Sequence, residues 1–270
     1  MRYRLRTTSA IVAALMIVGC GLALAKDKPE VDKAAVDNAF ALLKTYDYGT
    51  DRNAVMPIDD AVIAAHGDAK TSMELEKRLA AVLSSGDSND AKDYALRRLR
   101  IIGTAESVPA IAPLLENKDL SHMARYALEL NPAPEAGKAL QDALPKVSGK
   151  LKIGVIGSLA SRHDTDSVAA IAASLTDSDK DVACTAAHAL GAIGDADAAK
   201  QLGEFLPKAP DDVKPAATDG YLVCAEKLAK NGKKSEAIAI FKSLMGESEP
   251  KHVRLAATHG LLVASGKKGD

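Results

Sequence analysis

One unit of the sequence, Asp181 to Leu206, recurs along much of the chain and restricts its fold more than any other feature. Its apolar residues follow helical spacing up to Ile193, and the pair Gly194-Asp195 ends that helix before a second apolar run begins. A true repeat keeps the same class of residue at the same offset. Counterparts of Leu190 occur upstream at spacings of 31, 31 and 29 residues: Leu159, Leu128 and Leu99.

Two further positions of the unit keep their residue class in all four copies. The positions equivalent to Ala186 are Val155, Ala124 and Ala95, and those equivalent to Leu202 are Ile171, Leu140 and Ile111. The turn that follows Leu190 and its equivalents varies more. Gly103 and Gly194 are predicted to end their helices in the left-handed conformation, whereas His163 and Pro132 stand there in the other two copies. The sequence therefore predicts an all-α array of helix pairs.

The segment Val182 to Asp195 fits the pattern V-x-x-x-A-A-x-A-L-G-x-I-G-D and resembles HEAT-like repeats of the short, phycobilin-lyase-associated subtype. The resemblance extends from about Lys70 to the C-terminus, and the spacing from Tyr221 to Phe241 also resembles part of a tetratricopeptide unit. It implies a right-handed α-solenoid of antiparallel helix pairs. It also implies that the second helices line a concave face that receives a protein partner.

Residues 1–25 resemble an export signal, with three arginines before an apolar stretch and a small-x-small cleavage site at Ala23 to Ala25. A lipoprotein signal is the alternative, because Ile17 to Cys20 resembles a lipobox that would leave a lipid anchor on Cys20. The apolar stretch is shorter than the roughly 20 residues that a membrane span requires. We therefore expect an exported protein, periplasmic or extracellular, with no membrane span.

The remaining sequence divides into three regions. Residues 26–69 are predicted to form an N-terminal helical cap, residues 70–206 HEAT-like repeats, and residues 207–270 HEAT-like or tetratricopeptide-like repeats. The last predicted helix, His252 to Ala264, is as apolar as an interior one, although a terminal repeat normally has a polar outer face. We therefore expect that the chain continues beyond residue 270 in a longer product, or that a partner covers this end.

Charge and residue clusters argue against several classes of function. Removal of residues 1–25 changes the net charge from −1 to −4, and neither a basic stripe nor stacking aromatics suggests nucleic-acid binding. The cluster His163-Asp164-x-Asp166 falls in a turn where polar residues are expected, so we predict no metal site and no cofactor. Cys184 and Cys224 are predicted to be small buried hydrophobic residues, with a disulfide between them as the alternative.

The register also suggests a binding surface. Gly154 and Gly157 lie inside a predicted helix, where each costs about 1 kcal/mol relative to alanine. Close packing against a neighbouring helix is one explanation, and a saddle in a ligand-binding ridge is the other. Residues at the equivalent positions of the other second helices are candidates for contact with a protein ligand: Tyr94, Arg97, Tyr126 and His188.

The sequence therefore favours an exported protein-interaction scaffold with no catalytic activity of its own. A first alternative is the non-catalytic repeat arm of a longer secreted enzyme, truncated here at residue 270. A second alternative is a lyase-type or metal-dependent HEAT-repeat enzyme, which the absence of His-Glu dipeptides disfavours.

Overall fold

The computed structural model describes residues 31–49 and 51–266, which form α-helices and short 3-10 segments with no strand among them. The helices are α1 (Lys33–Leu43), α2 (Met56–Ala64), α3 (Ala69–Ser84), α4 (Asn89–Ile102), α5 (Val108–Ile111), α6 (Ser121–Glu129), α7 (Pro134–Ala143), α8 (Gly149–Ser161), α9 (Val168–Ala173), α10 (Lys180–Ile193), α11 (Ala196–Phe205), α12 (Lys214–Lys230), α13 (Lys234–Ser243) and α14 (Lys251–Ala264). The predicted export signal, Cys20 and the residues after 266 lie outside the described part.

The helices pack as successive pairs in two layers. From α3 onwards, the first helix of each pair packs against the second, and the second helices α4, α6, α8, α10, α12 and α14 stack on one another in chain order. The contacts continue without a break from α11 to α12, where the sequence changes from HEAT-like to partly tetratricopeptide-like character. The predicted all-α solenoid of helix pairs is confirmed.

The residues that define the repeat register form the core between the two layers. The four aligned leucines, Leu99, Leu128, Leu159 and Leu190, are all fully buried, and so are the alanine-or-valine positions four residues earlier in each helix. Burial of large aliphatic side chains is the main favourable term in folding. The positions that recur at fixed spacing in the sequence are therefore the core positions of the fold.

The turns between the helices depart from the sequence-based expectation at one position. Gly194 has a positive φ of 69° and His163 has a φ of 51°, so both end their helices in the left-handed conformation. Gly103 does not, because its φ is −65° and its backbone is extended. Here the buried Glu76 carboxylate accepts hydrogen bonds from the backbone amides of Thr104 and Ser107, at 2.5 and 3.2 Å, and so shapes the turn instead.

Two second helices receive their C-terminal caps from the following repeat. The Arg162 guanidinium after α8 donates to the carbonyl oxygens of Leu128 and Asn131 at the end of α6, at 2.5 and 2.6 Å. The Lys227 ammonium of α12 donates to the Ala192 carbonyl at the end of α10. A cation at a helix C-terminus satisfies free carbonyls and complements the helix dipole. Adjacent repeats are thereby joined by polar contacts as well as by apolar packing.

Helices α10 and α12 pack closely against each other at two glycines. A Cβ built on Gly191 would stand 2.7 Å from the Gly220 Cα, and one built on Gly220 would overlap the Ala187 carbonyl. Both positions therefore require glycine. Cys224 is buried in this contact, and burial raises the pKa of its thiol to about 12. Cys184 is only half-buried, which corrects the expectation of a buried side chain, and both cysteines are free thiols.

The two ends of the described array differ. At the N-terminal end, α2 packs on α3 and α4. At the C-terminal end, α14 leaves Leu255 and Val263 exposed at 60% and 61%. These two side chains are exposed apolar groups on the last described helix, and whether a further segment or a partner covers them stays a prediction. Within residues 31–49 and 51–266, no helix combines the length and apolar character needed to cross a membrane.

Candidate protein-binding surface

Three of the four predicted binding residues lie on the surface of three different second helices. Arg97 on α4 and His188 on α10 are exposed, and Tyr126 on α6 is half-buried. The fourth, Tyr94, is only 2% exposed, so the expectation that its side chain faces a ligand is wrong. The structure keeps the other three as candidates, and their contact with a ligand remains a prediction.

Tyr94 is buried because the N-terminal cap covers it. Its hydroxyl lies 2.9 Å from both the Val55 carbonyl and the Asp59 carboxylate of α2. Asp59 also forms a two-point ion pair with Arg98, at 2.6 and 2.8 Å, and the Arg98 guanidinium stacks on the Tyr94 ring at 3.4 Å from its centroid. Burial raises the pKa of the Tyr94 phenol, so it remains a neutral hydrogen-bond donor. This network joins α2 to α4.

A groove of about 420 Å³ runs across α2, α4 and α6 beside this network. Two predicted binding residues, Arg97 and Tyr126, line it, whereas His188 does not. The remaining lining residues are Asp59, Val62, Ile63, Arg98, Arg100 and Ile101. We call this feature the α2–α4–α6 groove. It combines three guanidinium groups with aliphatic side chains, which is a mixture typical of protein-binding surfaces.

Arg100 is the most distinctive member of the α2–α4–α6 groove. Its guanidinium stacks on the Tyr126 ring at 3.7 Å from the centroid, and Nη1 donates to the Tyr126 hydroxyl. Its Nε is buried and has no hydrogen-bond partner in the described part of the chain. Arg100, Ile63 and Ile101 were not predicted from the sequence, because only equivalent positions of the repeated second helices were aligned with one another. The segment Arg97-Arg98-Leu99-Arg100-Ile101, in which arginines are interspersed with aliphatic residues, was the available signal.

The two helical glycines of α8 have different surroundings. A Cβ on Gly154 would stand 2.5 Å from the Arg125 Cζ, and the Arg125 guanidinium donates to the Gly154 carbonyl at 3.2 Å. Close packing therefore explains Gly154. A Cβ on Gly157 would meet nothing within 4 Å. Gly157 leaves an open notch on the second-helix layer, on the helix between those of Tyr126 and His188.

A second polar pocket, of about 540 Å³, contains His163, Asp164 and Asp166 at the turn after α8. The Asp164 carboxylate in this pocket accepts hydrogen bonds from the Asp166 amide and from the Gln141 side chain, at 3.2 and 3.1 Å. Nearby, the Ser158 hydroxyl donates to Glu129 at 2.7 Å and is fully buried. In the described part of the chain, no group of three or more His, Cys, Asp or Glu side chains has the geometry of a metal site. These clusters hold turns and helix ends in place.

Known protein families and solved structures show which repeats this chain is similar to. Residues 137–221 match the family model described as HEAT repeats. No curated protein sequence matches the chain. Among solved structures, lipovitellin, from a study of its lipid–protein interactions, aligns with a TM-score of 0.55 and 14% identity over 88% of this chain and 28% of its own. At that identity the likeness shows the fold alone, and this chain spans well under a third of the lipovitellin chain.

Two further solved structures align with lower similarity. An engineered protein gives a TM-score of 0.42 at 19% identity, over 87% of this chain and 69% of its own. The complex of CpcE and CpcF of phycocyanin lyase from Nostoc sp. PCC7120 gives 0.38 at 19% identity, over 89% and 97%.

The fold defines the class as an α-solenoid of stacked helix pairs. The family model of HEAT repeats matches residues 137–221, so the central helix pairs of this solenoid are HEAT-like repeats.

Proposed function

We propose that this chain is an exported scaffold that binds another protein through the exposed surface of its second helices and has no catalytic activity of its own. HEAT repeats mostly provide extended binding surfaces, which supports the general role. The observation that carries the proposal is the α2–α4–α6 groove, where exposed isoleucines and a stacked arginine lie together.

Export rests on the sequence of residues 1–25, with cleavage after Ala25 as the expected processing and lipidation of Cys20 as the alternative. The intact mass of the protein, expressed with its own leader and purified from soluble and membrane fractions, tests this directly. A mass that begins at Lys26 supports export as a free protein. A lipid-sized increment on a chain that begins at Cys20 supports a membrane-tethered scaffold, and an uncleaved Met1 would contradict export.

Partner binding is tested by tagging the protein in its native source, cross-linking and identifying co-purified proteins. We expect a discrete partner that is lost from a triple variant on the second-helix layer, Arg97→Glu with Tyr126→Ala and His188→Glu. The matched control is Lys200→Glu together with Lys242→Glu, which are exposed on α11 and α13 of the other layer. Absence of any partner in the wild type, or equal loss in the control, would contradict the proposal.

A further inference from the structure

We propose that the α2–α4–α6 groove binds an acidic, aliphatic segment of a partner protein, with an Asp or Glu carboxylate on the Arg100 guanidinium and aliphatic side chains against Ile63 and Ile101. This inference rests on the proposed protein-binding function and specifies the chemistry of its ligand.

The charges of the groove are not balanced. Asp59 forms an ion pair with Arg98 at 2.6 Å, and Asp93 forms an ion pair with Arg97 at 2.8 Å. Arg100 forms no ion pair with any described residue, and its one hydrogen bond in that part of the chain is to the neutral Tyr126 hydroxyl. One cation therefore lacks a carboxylate. A guanidinium held in a fixed plane is well suited to bind a carboxylate through two parallel hydrogen bonds.

The position of Arg100 is fixed before any ligand binds. Its guanidinium stacks on the Tyr126 ring at 3.7 Å, and the Tyr126 hydroxyl accepts a hydrogen bond from Nη1. The buried Nε has no acceptor, although the desolvation of such a donor is normally compensated by a hydrogen bond. A carboxylate approaching along the groove would give this side chain the charged partner that the described chain does not supply. Little side-chain entropy would be lost, because the rotamer is already restrained.

The aliphatic part of the ligand follows from two exposed isoleucines. Ile63 on α2 is 63% exposed and Ile101 on α4 is 72% exposed, and both line the groove. A phosphate-rich ligand would leave these side chains in water and would approach the carboxylates of Asp59 and Asp93. A peptide in which acidic and aliphatic residues alternate would satisfy Arg100 and cover both isoleucines. The groove therefore favours a protein segment over a nucleic acid.

The test uses a phage-displayed library of random 12-residue peptides selected on the full chain. These peptides are fused at their C-terminus, so an enriched carboxylate belongs to an Asp or Glu side chain. We expect enrichment of Asp or Glu together with Leu, Ile or Val. The affinity of the enriched peptide, measured by fluorescence anisotropy, should fall at least tenfold with Arg100→Glu and with Ile101→Asp. It should also fall as the salt concentration rises.

Ile101→Asp guards against a folding artefact, since a side chain that is 72% exposed can be changed without disturbing the core. Lys200→Glu on α11 makes the same charge reversal as Arg100→Glu outside the groove and should leave binding unchanged. Failure to enrich any peptide, enrichment of basic peptides, or equal binding by the groove variants would overturn the inference. So would Arg100-dependent binding of a 12-nucleotide single-stranded DNA in place of the peptide.

The outcomes separate this inference from the proposed function. If the tagged protein captures a partner that Arg100→Glu and Ile101→Asp still bind, the scaffold role stands and the groove is not its site. If no partner is captured by the wild type, the scaffold role itself fails.

Discussion

The two ends of the described helix array differ in the contacts that their outer helices make. At the N-terminal end, α1 packs on α2, α2 packs on α3 and α4, and the Tyr94–Asp59–Arg98 network joins α2 to α4. At the C-terminal end, Leu255 and Leu262 of α14 occupy the register positions of Cys184 and Gly191 in α10, which face the following unit. In the part of the chain that the structure describes, Leu255 on this face is 60% exposed. The comparison shows that specific polar contacts join the first described helices to the array, whereas the last described helix has apolar side chains on its surface.

The largest predicted effect on stability comes from a substitution in the network that joins α2 to α4. Asp59→Ala removes the carboxylate that pairs with Arg98 and accepts from Tyr94, and it leaves a guanidinium whose side chain is only 12% exposed without its partner. We expect a loss of about 3 kcal/mol in the free energy of unfolding, at the low end for a buried pair because the site is partly solvated. Urea denaturation of the full chain measures it.

Asp60→Ala is the matched control, because Asp60 is the exposed neighbour of Asp59 on the same helix. Its effect should stay within about 0.5 kcal/mol. Equal stability of the two variants would show that the network does not hold the cap.

The next effect concerns the interior of the array. Gly220→Ala places a methyl group against the Ala187 carbonyl of α10. This carbonyl belongs to the backbone, so a side-chain rotation cannot relieve the contact. We expect the clash to outweigh the better helix propensity of alanine and to lower stability by about 2 kcal/mol. Thermal unfolding followed by circular dichroism measures the change, and an unchanged or raised Tm would contradict the close approach of α10 and α12.

Gly157→Ala should act in the opposite direction. The added Cβ meets nothing within 4 Å, so only the gain in helix propensity remains and we expect stability to rise by about 1 kcal/mol. Gly154→Ala, three residues earlier in the same helix, is the control. There the methyl group meets the Arg125 guanidinium, so no comparable gain is expected. A destabilising Gly157→Ala would mean that the notch is filled in the folded protein.

The smallest effect on stability is expected at the C-terminal end. Leu255→Glu with Leu262→Lys replaces exposed side chains, so the free energy of unfolding should change by no more than about 0.5 kcal/mol per site. Self-association should fall, because the exposed apolar face is reduced. Sedimentation velocity across a concentration series checks this. A loss of several kcal/mol would show that these leucines are packed rather than exposed.

The sequence was sufficient for the helix pairs and their core register, because leucine and alanine spacing directly reports which helix face is buried. It was less informative about turns: Gly103 is extended because Glu76, distant in sequence, supplies the hydrogen bonds. Tyr94 was misplaced for a similar reason, since the equivalent-position argument took no account of α2 packing over α4.

The candidate groove could be predicted only in part. Arg97 and Tyr126 followed from the register, but Arg100 depends on a stacking contact between two helices, and Ile63 belongs to the cap, which has no repeat register. Contacts between a repeat and a non-repeating segment leave no periodic signal in the sequence.

The most direct test of the account is hydrogen–deuterium exchange of the full chain with and without the acidic peptide obtained by selection. We expect increased protection in α2, α4 and α6, with no change in α14. Protection confined to α14, or spread evenly over the array, would contradict the claim that the N-terminal groove is the binding surface.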